Sequence, residues 1–187
     1  MQEQLTEVVQ SLESAQSHLR RFTDKLPEQS WDRKPAADEW SAAECVEHLN
    51  LTSRAYIPLL RDSVASAGEA RHSPTQHYRH DALGWFLSKM FGPLRHLGKF
   101  RVVRVKTTPP FVPKAGRSGP EILSDFVRLQ TDLISLVRSA DGLPIDSVKI
   151  VSPFGGRMRY SAYSAMVIVA RHQHRHLEQA EEAARRR

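Results

Sequence analysis

Apolar residues recur at helical spacing in four stretches of the chain. In the first, Leu5, Val8, Leu12, Ala15, Leu19, Phe22 and Leu26 follow one another at steps of three and four. That period predicts a helix from about Thr6 to Leu26 with one face turned inward. Pro27 ends it, because a proline nitrogen has no hydrogen to donate back along the helix.

The second stretch opens at Ser41, with Glu44 three residues later and Trp40 just before. Ser-x-x-Glu is a capping box, which marks a helix start, and Trp40 can staple the turn. Cys45, Val46, Leu49, Thr52, Tyr56 and Leu60 share one face. Pro58 falls inside the pattern and predicts a kink or a break.

The third begins after Ser118-Gly119-Pro120-Glu121, a second such box with a proline in its first turn. Ile122, Phe126, Leu129, Leu133 and Leu136 form its stripe, and Gly142 follows its end. The fourth runs from about Ser161 into the basic tail Arg185-Arg186-Arg187, whose cations suit the negative end of a helix dipole.

Residues 68–117 differ from their surroundings. They hold four of the nine histidines, several prolines and an apolar patch from Trp85-Phe86-Leu87 to Met90-Phe91. A short helix near Ala82–Phe91 is expected there, with loop or extended chain around it. Lys149 to Tyr160, centred on Gly155-Gly156, predicts a turn or short hairpin. No internal repeat is present. The expected fold is all-α: one domain over residues 1–187, a four-helix bundle with a long crossover between its second and third helices.

Composition narrows the class. Apolar residues make up 40% and charged residues 26% of the 187 residues, as in ordinary globular proteins. The start Met1-Gln2-Glu3-Gln4 has neither the basic nor the apolar part of a signal peptide. No apolar run approaches the ~20 residues of a membrane span. Cys45 is the single cysteine, so no intrachain disulfide can form, and a cytoplasmic location is expected. The net charge of +6 is mild. Yet Arg71 to Arg117 carries ten Lys/Arg against one acid, Asp81. That segment is either a solvated loop or a basic rim that receives an anionic substrate. No nucleic-acid recognition motif accompanies it, so neither nucleic acid nor membrane is an expected partner.

The candidate chemistry lies in His172-Gln173-His174-Arg175-His176. At 100° per residue, His172 and His176 are about 40° apart on the fourth helix, on the arc of Ala165, Ile168, Val169 and Ala183. His174 lies about 200° from His172, beside Tyr163 and Glu181, where solvent is expected. On the second helix His48 shares the arc of Cys45, Leu49, Thr52, Ala55 and Leu59, while Glu47, Asn50 and Arg54 lie opposite. A bundle can therefore bring His48 against the His172/His176 pair. Three converging neutral imidazoles form a metal site with open positions; the alternative is three hydrogen-bonded core histidines. Imidazoles favour zinc or nickel over magnesium, with iron and manganese also acceptable. Cys45, one turn from His48, reads as a small buried hydrophobe rather than as a fourth ligand or a reactive thiol. Gln179 is on the ligand side and can orient a bound group but cannot accept a proton. His18 stands off the first helix's apolar stripe. No general base is identifiable, so catalytic residues stay unassigned.

Several of these motifs, in order, resemble the DinB/YfiT-like helical bundles. They are W-S-A-A-E-C-V-E-H-L from Trp40 to Leu49, V-K-T-T-P-P from Val105 to Pro110, P-F-G-G-R from Pro153 to Arg157, and H-x-x-x-H-x-x-Q from His172 to Gln179. The resemblance implies a four-helix bundle, often dimeric, with a divalent metal on three histidines, which by position are His48, His172 and His176. It implies varied activities. Some members are transferases or isomerases that use a low-molecular-weight thiol, and others are described as metal-dependent hydrolases. A related domain in sulfoxide synthases carries His-x-x-x-His-x-Glu. Glu178 completes that pattern here, but falls at about 240°, off the ligand face.

Two classes of function follow. One is a metal-dependent hydrolase or thiol transferase acting on a small molecule, anionic or itself a thiol. The other is a non-catalytic dimeric bundle, a stress-response or binding protein whose metal site is structural or vestigial. A homodimer is expected in both, from the resemblance and from the apolar patch at Trp85 to Phe91.

Overall fold

Each strong helical pattern becomes a helix. The computed structural model describes residues 1–70, 74–92, 107–114, 116–155 and 157–186, apart from the side chain of Glu28. Among the described residues, six helices and one two-stranded sheet run in the order α1 (Glu3–Thr23), α2 (Glu28–Trp31), α3 (Ala42–Glu69), α4 (Ala82–Met90), α5 (Gly119–Ser139), β1 (Lys149–Val151), β2 (Arg159–Ser161) and α6 (Ala162–Arg185). A 3-10 turn, Pro109–Phe111, precedes α5, where loop or extended chain was expected.

The four long helices form the bundle. α3 packs on α5 and α6, and α1 packs on the same two, so α1 and α3 stand at opposite corners. The inward stripes read from the sequence are the core. Leu5, Leu12, Leu49, Tyr56, Leu60, Phe126 and Leu133 are all fully buried. Each such large side chain contributes about 1.5–3 kcal/mol of burial free energy.

Helix starts follow their caps. The Glu44 amide donates to Ser41 Oγ (3.1 Å), and the Ser41 amide donates to Glu44 Oε2 (2.9 Å). At α5, Glu121 Oε2 accepts from the Ser118 amide (2.9 Å) and hydroxyl (2.7 Å). Asp81 caps α4 through the Gly84 amide (2.8 Å) and also accepts from the Ser161 amide (2.7 Å) at the start of α6. One carboxylate thus ties the crossover to the last helix, and its pKa is drawn down to about 2 against the opposing effect of burial.

Pro58 does not break α3, which continues from Ala42 to Glu69. Pro58 is exposed, so the carbonyl that loses its helical partner faces the solvent side, where water can replace the bond. The expected hairpin is present: Lys149 pairs with Ser161, Ile150 with Tyr160 and Val151 with Arg159. Gly155 turns it at φ 94°, a conformation that favours glycine. No described helix is long and apolar enough to cross a membrane.

The face of α3 opposite its apolar arc is covered too. Glu47 and Asn50 are buried. α5 packs on that side, so α3 is covered on two faces rather than one. The Asn50 amide donates to the Ile122 carbonyl (2.9 Å) and to Glu47 Oε2 (3.1 Å). Arg117 donates to Glu47 (2.8 Å), and both Arg54 and Arg117 pair with Asp125. This network fixes the end of the crossover to α3 and α5.

Candidate metal centre

The capping box at Ser41 sets where α3 begins, and so where His48 points two turns later. Its Nδ1 lies 2.8 Å from the carbonyl oxygen of Phe111, in the 3-10 turn. A carbonyl only accepts, so Nδ1 carries the proton and Nε2 keeps its lone pair. That Nε2 lies 3.1 Å from His172 Nε2 on α6. His176 is one turn further along, with its ring 4.4 Å from that of His172 and 4.5 Å from that of His48. One nitrogen from each ring lies within 4.8 Å of the others. The three residues singled out from the sequence are therefore brought together.

All three rings are held neutral. Burial lowers the pKa of His48, against the Phe111 carbonyl, which raises it. Burial pushes His172 well below its ordinary value, helped by His48 and the Arg175 guanidinium. His176 is also pushed well down, first by burial and then by His172, His48 and Arg175; the Gln179 side chain opposes this. A neutral imidazole is the form that offers a lone pair.

These features fit a divalent cation. Two imidazole nitrogens on a tetrahedral ion with ~2.0–2.1 Å bonds stand about 3.3 Å apart, close to the His48–His172 spacing. His48 shows the further hydrogen bond usual for a ligating histidine. The Nδ1 atoms of His172 and His176 are buried without a hydrogen-bond partner. The buried three-histidine cluster can bind a divalent metal, and among the described residues it opens on one side onto a pocket.

That open side is a pocket of about 700 Å³. Trp40 leans over His48 and His176, with ring separations of 4.9 and 6.1 Å. Phe91 and Phe154 each stand 5.9 Å from His172. Leu87, Met90, Val112 and Met158 extend the apolar wall, and Thr107, Thr108, Asp38, Glu39, Arg175, Gln179 and Arg186 supply its polar groups. The Arg186 guanidinium is matched by Glu39 at 2.6 Å. α4 is fastened over α6 by two arginines: Arg171 Nε donates to the Ser88 carbonyl (2.7 Å) and an Arg175 terminal nitrogen to that of Met90 (2.8 Å). These are last-turn carbonyls of α4, which have no partner within the helix.

Other candidates fall as follows. Cys45 is fully buried in the apolar cluster with Leu49 and Phe126 and is not part of the histidine group. Gln179 lines the pocket, as expected. His174 is off the site, but it is only partly solvated: its Nε2 meets Ser11 of α1 at the hydroxyl (3.1 Å) and the carbonyl (3.0 Å). α6 is packed by α1 on that side, which a single-face reading misses. Glu178 is partly buried, with Oε2 lacking a hydrogen-bond partner, and it stays outside the histidine group. His18 pairs with Glu181 at 3.0 Å. The sequence reading missed Arg175 and Phe154. Arg175 was reachable, since it lies about 60° from His172 on the same wheel; Phe154 sits in the hairpin turn, where no period operates.

Six of the nine basic residues from Arg71 to Lys114 lie outside the described residues, as does Val105-Lys106 of the proline motif. Comparison with curated proteins finds no match, and comparison with solved structures finds none. The family model of the DinB superfamily matches residues 11–180, which hold all four helices of the bundle apart from the ends of α1 and α6, and all three histidines. The chain belongs to the DinB superfamily.

Proposed function

We propose that this protein is a metal-dependent enzyme of hydrolase or thiol-transferase type, with His48, His172 and His176 holding zinc or nickel. The observation that carries this is the opening of the buried histidine cluster onto a pocket of about 700 Å³. A structural zinc site is closed by four protein ligands, whereas a catalytic one keeps a position open. Only three candidate ligands meet among the described residues.

When bound, the ion would acidify a coordinated water or thiol and polarise a carbonyl. The chain's own groups prepare the rest. The Phe111 carbonyl holds the His48 ring in one tautomer. Trp40, Phe91 and Phe154 give the ligand side an apolar lining. Asp38 and Glu39 are the carboxylates of the wall and the candidates for moving a proton. Magnesium is disfavoured because it prefers oxygen ligands.

The active unit is a homodimer in this reading. Trp85 and Phe86 support it: both project from α4 with more than half of their surface exposed. Metal analysis of protein purified without an affinity tag tests the centre, followed by turnover assays on hydrolase substrates and on electrophiles with thiol co-substrates. About one metal per chain and metal-dependent turnover are expected. A metal-free protein, or turnover indifferent to a chelator, would overturn the reading.

A further inference from the structure

The pocket beside the histidines has the volume of a small-molecule site, about 700 Å³. Most of its described wall is apolar. Trp40, Phe91 and Phe154 supply aromatic surface, and Leu87, Met90 and Met158 add aliphatic and thioether surface. The apolar part of a ligand placed against such a wall leaves water, which is the dominant favourable effect in binding of this kind.

The charged groups of the described wall call for no ion from a ligand. Asp38 and Glu39 bring two carboxylates, and Arg175 and Arg186 two guanidiniums, so their formal charges cancel. Each is also engaged within the chain. Arg186 meets Glu39 at 2.6 Å. Arg175 donates to the Met90 carbonyl (2.8 Å) and has a further partner, and Asp38 is likewise partnered. The other polar side chains beside the histidines, Thr107, Thr108 and Gln179, carry no charge. They can hydrogen-bond a carbonyl, a hydroxyl or an amide. An ion moved from water against this wall loses hydration, and among the described residues every counter-charge that could offset the loss is already matched. We propose that the pocket takes an uncharged small molecule with an aromatic or aliphatic body, recognised by burial rather than by ion pairing. This rests on the reading of the pocket as the substrate site and names the class of substrate it admits.

Fluorescence titration of the full chain with N-phenyl-1-naphthylamine and 8-anilinonaphthalene-1-sulfonate tests this. The two dyes share one aromatic body, and the second adds an anion. A sulfonate is a poor metal ligand, so an ion at the histidines does not blur the comparison. The native chain should bind the neutral dye at least ~10-fold more tightly than the sulfonate, about 1.4 kcal/mol. Met158→Asp sets a new charge on the wall and should weaken neutral-dye binding by at least ~10-fold. Trp85→Glu with Phe86→Glu should leave that binding unchanged, which separates the pocket from the exposed apolar residues of α4. Equal affinity for the two dyes, tighter binding of the sulfonate, or no binding of the neutral dye overturns the inference. So does a folded Met158→Asp chain that binds the neutral dye as the native chain does, or loss of that binding in the Trp85/Phe86 variant. Metal content measured on the same samples keeps the two readings apart. A metal-free chain that still prefers the neutral dye upholds this inference and removes the metal. A metal-loaded chain without that preference overturns this inference and leaves the metal in place. The two dyes on the native chain decide the matter even where a variant fails to fold.

Discussion

His48 Nε2 and His172 Nε2 meet at 3.1 Å across the seam between α3 and α6. Neither ring is free to turn away. His48 is held from behind by the Phe111 carbonyl, and His172 packs against the rings of Phe91 and Phe154. Residues 124 apart in the chain thus present nitrogen to nitrogen at a spacing that suits one shared cation.

Removing either partner should empty the centre. His48→Ala and His172→Ala are each expected to lose the metal, read as metal per chain by elemental analysis. His174→Ala should keep it, because His174 faces Ser11 instead. That variant should still lose about 1 kcal/mol of stability, the net worth of a hydrogen bond. Metal loss from His174→Ala as complete as from His172→Ala would contradict the placement of these side chains.

The wheel arithmetic found the three clustered histidines because histidines four residues apart must share a helix face wherever the helix packs. It failed where a helix is covered on two sides. Asn50 and Glu47 lie opposite the apolar arc of α3, yet α5 buries them. Polar residues at such a second interface carry no apolar period, so pattern alone cannot mark them. Phe111 and Phe154 lay beyond reach for another reason: they approach the site from a 3-10 turn and a hairpin turn, whose docking depends on tertiary structure.

Asn50 offers a test of that second interface. It is fully buried and joins α3 to α5 through the Ile122 carbonyl. Asn50→Ala leaves Ile122 and Glu47 each short of a donor, and should cost about 1–3 kcal/mol in denaturant unfolding. Metal content of the folded variant should be unchanged. A neutral effect on unfolding would mean that water replaces the amide and that this face is wetter than described.

Trp85 and Phe86 bear on assembly. They are 53% and 56% exposed and adjacent on α4. Light scattering at micromolar concentration should report a dimer, and Trp85→Glu with Phe86→Glu should convert it to a monomer that retains metal. A native monomer would remove the dimer, and a double variant that stays dimeric would move the contact elsewhere.

Acid should act on the centre through the same three rings. Burial lowers the folded-state pKa of His48, His172 and His176 below the ordinary 6.5. The unfolded chain therefore binds more protons than the folded one once pH falls below about 6.5. Above that value both states are neutral at these sites, and apo stability should be flat from their contribution. Below it the unfolded state gains protons that the folded state refuses, so stability falls until the depressed folded values are reached. The metal adds a second dependence of the same sign, because it binds the neutral rings and stabilises only the folded form. Thermal melts with and without chelator should thus lie apart at neutral pH and converge on acidification, with more than one proton taken up per metal released. Melts that coincide at neutral pH would show that the three histidines are ordinary core residues, and the acid slope of the apo curve would then be all that remains of the site.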